Sequence, residues 1–141
     1  MNIAERYAPL LGRLLIAQLF LVSGFNKITG FSGTADFMAG AGMPMAAVLL
    51  VGAIVLEILG GASVLLGYRA KLGALALIVF TVPATLIFHN YWALEGAEAY
   101  TQMLMFTKNV AIVGGLLVIA GLGSGPLSLD SAGKANSPQA A

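Results

Sequence analysis

Four ionisable side chains stand inside or at the rim of otherwise apolar runs: Arg13, Glu57, His89 and Lys108. A charge near lipid is expensive and as a rule faces a partner or a cavity, so each marks a place where binding or proton transfer could occur. Lys27, Asn90, Trp92 and Asn109 extend the set, with Asn26 and Gln102 close by in sequence. Two lysines and a histidine near one indole suit a small anion, or the carbonyl oxygen of a quinone head group. Histidine is the side-chain type that ordinarily titrates near neutrality, which makes His89 the natural proton donor or acceptor. Lys108 and Lys27 would stabilise negative charge developing on the bound oxygen. His89 and Lys108 are therefore the catalytic candidates, and Lys27, Asn90, Trp92 and Asn109 the ligand-binding ones.

Each of these residues also has a structural reading. Lys27 and Lys108 could be anchors that snorkel to the interface, and His89 could be a wet, capped residue at a helix end. Glu95 and Glu98 read as solvated loop charges, and the glycine pairs at 60–61 and 114–115 as packing. No metal-ligand spacing occurs, so no metal site is expected. No covalently bound cofactor is expected either.

What must position these groups follows from composition. Of 141 residues, 59% are hydrophobic and 9% charged, with a mean hydropathy of +0.92. Soluble domains carry about 25% charged residues. This is an integral membrane protein. A spanning helix needs about 20 mostly apolar residues, so four of them nearly use up the chain. The absence of cysteine excludes disulfide exchange and thiolate metal sites by this chain alone, and a single histidine excludes bis-His haem ligation within it.

The apolar runs predict an all-α membrane protein, a four-transmembrane-helix bundle over residues 1–123, with helices at about 8–27, 43–67, 70–89 and 103–123. Arg13 lies deep in the first run and no cleavage site follows, so that run is expected to remain as a helix, with Pro9 in its first turn. Residues 29–42 read as a glycine-rich loop, with a short interfacial helix around Phe37. Pro83 is expected to kink the third helix. Residues 90–102 read as a loop, and residues 124–141 as a short, mostly disordered cytoplasmic tail. Arg6, Arg69, Lys71 and Lys134 fall on one side of the bundle, against Lys27 with Asp36, Glu95 and Glu98 on the other. The positive-inside rule then places both termini in the cytoplasm.

At 100° per residue, Arg13, Ala17, Phe20, Gly24 and Lys27 share one helical face. Leu50, Ala53, Glu57, Gly61 and Val64 share another, as do Thr81, Thr85 and His89, and Leu104, Lys108, Ala111 and Gly115. Glu57 lies ~15 Å and Arg13 ~9 Å from the cytoplasmic side. They are accordingly expected to form a structural ion pair, Arg13–Glu57, in the inner half of the bundle.

The segments GRLLIAQLFLVSGFNKITGF, LEILGGASVLLGYRAKLGALAL, PATLIFHNYW and FTKNVAIVGGLLVIAGLGSGPLSLD together resemble the DoxX-like family of small four-helix bacterial membrane proteins. The resemblance spans about Pro9 to Asp130 and includes Arg13, Lys27, Glu57, Arg69, His89, Lys108 and the Ser128-Leu129-Asp130 end. It implies a multi-pass protein of the bacterial inner membrane that serves a redox system, as an oxidoreductase subunit working with quinone or as a membrane partner of soluble redox proteins. His89, Lys108 and Lys27 would then border a quinone or oxyanion site. Expected partners are the lipid bilayer, a soluble or membrane redox protein, and further copies of the chain, with no nucleic acid. Two other readings stand beside it: a non-catalytic membrane anchor or assembly partner that recruits a redox protein, and a small-solute carrier.

Overall fold

The computed structural model describes residues 1–135. Its long helices are α1 (Ile3–Thr29), α3 (Ala46–Leu66), α4 (Ala70–Phe88) and α5 (Gly96–Leu122), with shorter helices α2 (Phe31–Gly40) and α6 (Leu129–Ala135) and a 3₁₀ turn at Tyr91–Ala93. No strand occurs among the described residues. The four spans that the sequence predicts are long and apolar enough to cross a membrane: Ile3–Thr29, Ala46–Leu66, Ala70–Ala93 and Gly96–Leu122.

Helix ends differ from expectation where polar residues continue a helix that lipid began. α1 starts at Ile3 because Asn2 and Glu5 form a capping box, the Glu5 amide donating to Asn2 Oδ1 at 2.8 Å and the Asn2 amide to Glu5 Oε2 at 2.9 Å. Pro9 therefore sits inside α1, not in its first turn. α5 begins at Gly96, seven residues before its apolar run, so Thr101 and Gln102 are helical. Hydropathy marks the part of a helix embedded in lipid, not where the helix stops.

Sequence neighbours pack as spatial neighbours: α1 on α3, α3 on α4, α4 on α5. α1 also touches α5, where Ile16 lies over Gly115. Lipid tails are as apolar as leucine, so dispersion and close approach of small residues hold such a bundle together. Leu15, Val22, Leu59, Leu72, Val79 and Val118 face outward, as a lipid-facing surface requires. The main buried cluster lies in one half: Ala17 and Phe20 from α1, Val64 from α3, Ala70, Ala74 and Leu77 from α4, Leu116 and Ile119 from α5, with Leu50 and Met38 buried apart from it. This half adjoins the end that carries both termini. The other half, toward the α1–α3 and α4–α5 connections, holds a cavity.

The termini end is closed by residues 124–135, the first part of the segment expected to be a mostly disordered tail. α3 stops at Gly67, left-handed at φ 65°, with the Tyr68 amide bonding back to the Ser63 carbonyl at 3.1 Å. A Cβ at Gly67 would run into the Arg13 guanidinium and Ser128, so only glycine fits there. Arg69, itself left-handed at φ 48°, offers α4 no side-chain cap. Asp130 supplies one from afar: its Oδ1 accepts from the Arg69 amide at 2.7 Å and its Oδ2 from the Ala70 amide at 3.1 Å. A carboxylate at a helix N-terminus satisfies orphan donors and complements the helix dipole. The Asp130 amide in turn donates to the Gly67 carbonyl at 2.8 Å. Residues 136–141 of the expected tail lie outside the described residues.

Candidate functional site

A cavity of about 540 Å³ opens between α3 and α4 in the connection half of the bundle. Its wall is mostly apolar, with Leu19, Leu50, Leu56, Phe80 and Ile112 among its residues. α2 covers it through Phe37 and Met38, and Phe37 stacks on Phe88 of α4 with ring centroids 5.5 Å apart. Val48, Leu49, Val79 and Ile87 stand both at the cavity and on the exposed surface, so its mouth faces the lipid.

Polar groups from α1, α2, α3, α4 and α5 converge on this apolar space, Ser23 and Thr34 among them. Glu57, 1% exposed, presents its carboxylate from α3. Lys27 Nζ of α1 lies 3.1 Å from Glu57 Oε1, to which it donates, and 3.0 Å from Oε2, and it also donates to Ser23 Oγ at 2.6 Å. Oε2 is buried and, apart from the ammonium, has no hydrogen-bond donor among the described residues. The ammonium also lies 5.7 Å from the centre of the Phe80 ring. His89 contributes an imidazole whose Nδ1 is 2.7 Å from Gln102 Oε1. An amide oxygen only accepts, so Nδ1 carries hydrogen and Nε2 remains for a ligand. Asn109 and Thr81 complete the set.

The wall behind them is a hydrogen-bonded ladder. Thr81 Oγ1 donates to the Leu77 carbonyl and Thr85 Oγ1 to the Thr81 carbonyl, each at 2.7 Å. Asn109 Nδ2 of α5 donates to Thr85 Oγ1 at 3.0 Å, which fixes the side-chain amide between α4 and α5. Buried hydroxyls that bond back to the preceding turn cost the interior little.

The structure corrects the one pairing expected from sequence and the placement of Lys108. Arg13 does not meet Glu57. Gly24 lies level with Glu57, since a Cβ there would be 3.3 Å from Glu57 Cβ. Arg13 is 11 residues away along α1, or about 16 Å. It sits at the inner end of α3, where Nη2 donates to the Leu127 carbonyl at 2.7 Å and Nη1 to the Leu65 carbonyl at 3.5 Å. Arg13 stands five residues inside the first apolar run yet lies level with the end of α3, because α1 reaches well past α3 on that side.

Lys108 does not join His89. It is exposed, donates to Met105 Sδ at 3.2 Å, and is absent from the cavity wall. Asn109, one residue and 100° further round α5, faces inward in its place, on a stripe with Ile112, Leu116 and Ile119. Trp92 also stays outside, 59% exposed, its ring edge-on to Tyr91 and Phe106 at 5.4 and 5.9 Å. Asn90 lies half-buried ahead of the 3₁₀ turn and is not part of the wall. Of the candidates named from sequence, Lys27, Glu57, His89 and Asn109 come together. The cover formed by α2 and the Lys27–Glu57 pairing were not foreseen. The sequence signal for the pairing is the stripe of Gly24 and Lys27, which matches the small-residue face around Glu57.

The DoxX family model matches residues 8–90. Inner membrane protein YphA of Escherichia coli (strain K12) is 35% identical over 121 residues, 86% of each chain. Inner membrane protein YqjF of the same strain is 38% identical over 126 residues, covering 89% of this chain and 92% of the relative. The ER-derived vesicles protein ERV29 of Saccharomyces cerevisiae is 26% identical over 127 residues, 90% of this chain but 34% of its own length. No solved structure matches. The family match over more than half the chain, and two relatives aligned over nearly their whole length, establish that the chain belongs to the DoxX family.

Proposed function

We propose that this chain is the integral subunit of an inner-membrane redox system, with both termini in the cytoplasm, and that its cavity receives the head group of a quinone entering sideways from the bilayer. The observation that supports this most is the makeup of the cavity: an apolar slot whose mouth faces lipid, with Lys27, Glu57, His89, Asn109 and Thr81 gathered at its polar wall. Small-molecule sites have this character, mostly apolar with a few placed polar groups. A quinone supplies reversible electron and proton uptake, the electrons coming from a partner redox protein. The chain's own part is to hold one oxygen against the Lys27 ammonium and to offer His89 Nε2 as a place for a proton.

The test is titration of purified protein in detergent with decylubiquinone, wild type beside Lys27→Met, His89→Ala and Lys108→Ala. Saturable binding that is weakened in the first two variants and kept in Lys108→Ala is the expected result. Absence of binding in the wild type would favour a non-catalytic anchor, and the search would turn to a partner protein.

A further inference from the structure

A second hollow, also of about 540 Å³, lies on the outer side of α1 against α2, lined by Gln18, Leu19, Val22, Ser23, Asn26, Lys27 and Thr34. It differs in kind from the quinone cavity. Five of its seven lining residues are polar, although most of it borders a helix face that should meet lipid. It also shares Leu19, Ser23, Lys27 and Thr34 with the quinone cavity. Lys27 is thus the partition between a polar groove and an apolar cavity, with its side chain 24% exposed on one side and its ammonium held to buried Glu57 on the other.

We propose that this groove is a water-filled entrance through which protons reach the Lys27–Glu57 pair, so that the pair exchanges protons with the medium without passing them through the apolar cavity. The inference rests on the reading of that cavity as a ligand site. A proton that leaves the Lys27 ammonium for a ligand oxygen breaks an N–H bond and makes an O–H bond. Water in the groove then returns a proton to Nζ, and no electrons move in either step. Polar groups suited to order such water line the way: Asn26 and Thr34 near the connection end, then Ser23 Oγ, 2.6 Å from Nζ, with Gln18 deeper along α1. Other titratable groups around the pair are few. α4 contributes His89 to the cavity wall, while Asp36 of α2 and Lys108 of α5 line neither space. His89 is outside the groove, so proton exchange at Lys27 and at His89 can be separated by experiment.

Because the chain has no cysteine, single introduced thiols report water without background. Gln18 lines the groove, and Leu15, less than one turn away and 68% exposed, faces lipid. A thiol reacts as its thiolate, which apolar surroundings suppress, so Gln18→Cys in proteoliposomes should react with a charged methanethiosulfonate about tenfold faster than Leu15→Cys. Adding Asn26→Trp, which fills the groove from a residue outside the cavity wall, should abolish that advantage. The proton itself is followed in ¹⁵N-lysine-labelled protein by exchange between the Lys27 ammonium and water, which Asn26→Trp should slow while leaving Lys108 unchanged. Equal reactivity at Gln18→Cys and Leu15→Cys, or Lys27 exchange indifferent to Asn26→Trp, overturns the entrance. Decylubiquinone binding, measured on the same samples, reports separately on the cavity: binding retained with a dry groove refutes the entrance alone, and binding lost in wild type refutes both.

Discussion

Lys27 of α1 and Glu57 of α3 form a buried ion pair with the ammonium 3.1 Å from Oε1 and 3.0 Å from Oε2, and it ties the two helices together in the half of the bundle where the core is hollow. The partners are unequally exposed, Lys27 at 24% and Glu57 at 1%. That inequality decides what each substitution leaves behind.

Lys27→Met strands a carboxylate that cannot reach water, whereas Glu57→Gln strands an ammonium that can turn into the polar groove. Breaking a buried pair from one side costs about 3–5 kcal/mol, so Lys27→Met should fall in that range and Glu57→Gln below it. The double variant Lys27→Met/Glu57→Leu should recover much of the loss. Unfolding in mixed detergent micelles measures all three. Losses that are equal in the single variants and additive in the double would remove the pair from the account. Arg13→Leu should add independently to Glu57→Gln, since the two residues share no partner.

Asp130 caps α4 from 60 residues away, through the amides of Arg69 and Ala70. Asp130→Ala should lower stability by about 1–2 kcal/mol, the usual value of a side-chain cap with its dipole contribution. The thermal midpoint in detergent reads this directly. A variant that melts with the wild type would mean that the 124–135 segment does not brace the α3–α4 turn.

The spans and their polar faces were legible because lipid imposes a strong rule on composition and a helix repeats every 3.6 residues. Ala17, Phe20 and Gly24, or Glu57, Gly61 and Val64, are buried as their spacing required. Pairings across helices were not legible. They depend on axial offset, and an apolar run does not show that α1 extends to Ile3 and Thr29 or that α5 starts at Gly96. Rotation failed by one residue on α5, where Lys108 and Asn109 are both polar and nothing in the local pattern says which faces inward. Asp130 could not be placed because a cap supplied from a distant segment leaves no mark beside the helix that it caps.

Two glycines should respond oppositely to alanine. A Cβ at Gly73 would strike the Ser63 side chain, which is tethered to the Tyr68 carbonyl at 2.6 Å, and would lie 3.1 Å from the Gly60 carbonyl, so neither neighbour can yield. Gly114 has nothing within 4 Å of its position. Gly73→Ala should destabilise by about 1–3 kcal/mol as overpacking does, while Gly114→Ala is neutral or stabilising by up to about 1 kcal/mol. Thermal midpoints in one detergent compare them. Equal behaviour would mean that α3 and α4 are not in close contact at Gly60 and Gly73.

Lys108 and Asn109 give the sharpest contrast, because adjacent residues on α5 face opposite environments. Asn109 borders the cavity and is fixed by its bond to Thr85, so Asn109→Leu removes a polar group from the wall without removing volume. One lost hydrogen bond of about 1.4 kcal/mol corresponds to tenfold weaker decylubiquinone binding. The hydroxyl of Thr85 keeps its bond to the Thr81 carbonyl, so stability should fall by less than affinity does. Lys108→Ala removes a full charge from an exposed side chain that donates to Met105 outside the cavity, and both binding and stability should stay at wild-type levels. If Lys108→Ala abolished binding while Asn109→Leu did not, α5 would present its other face to the ligand, and the cavity between α3 and α4 would not be the site.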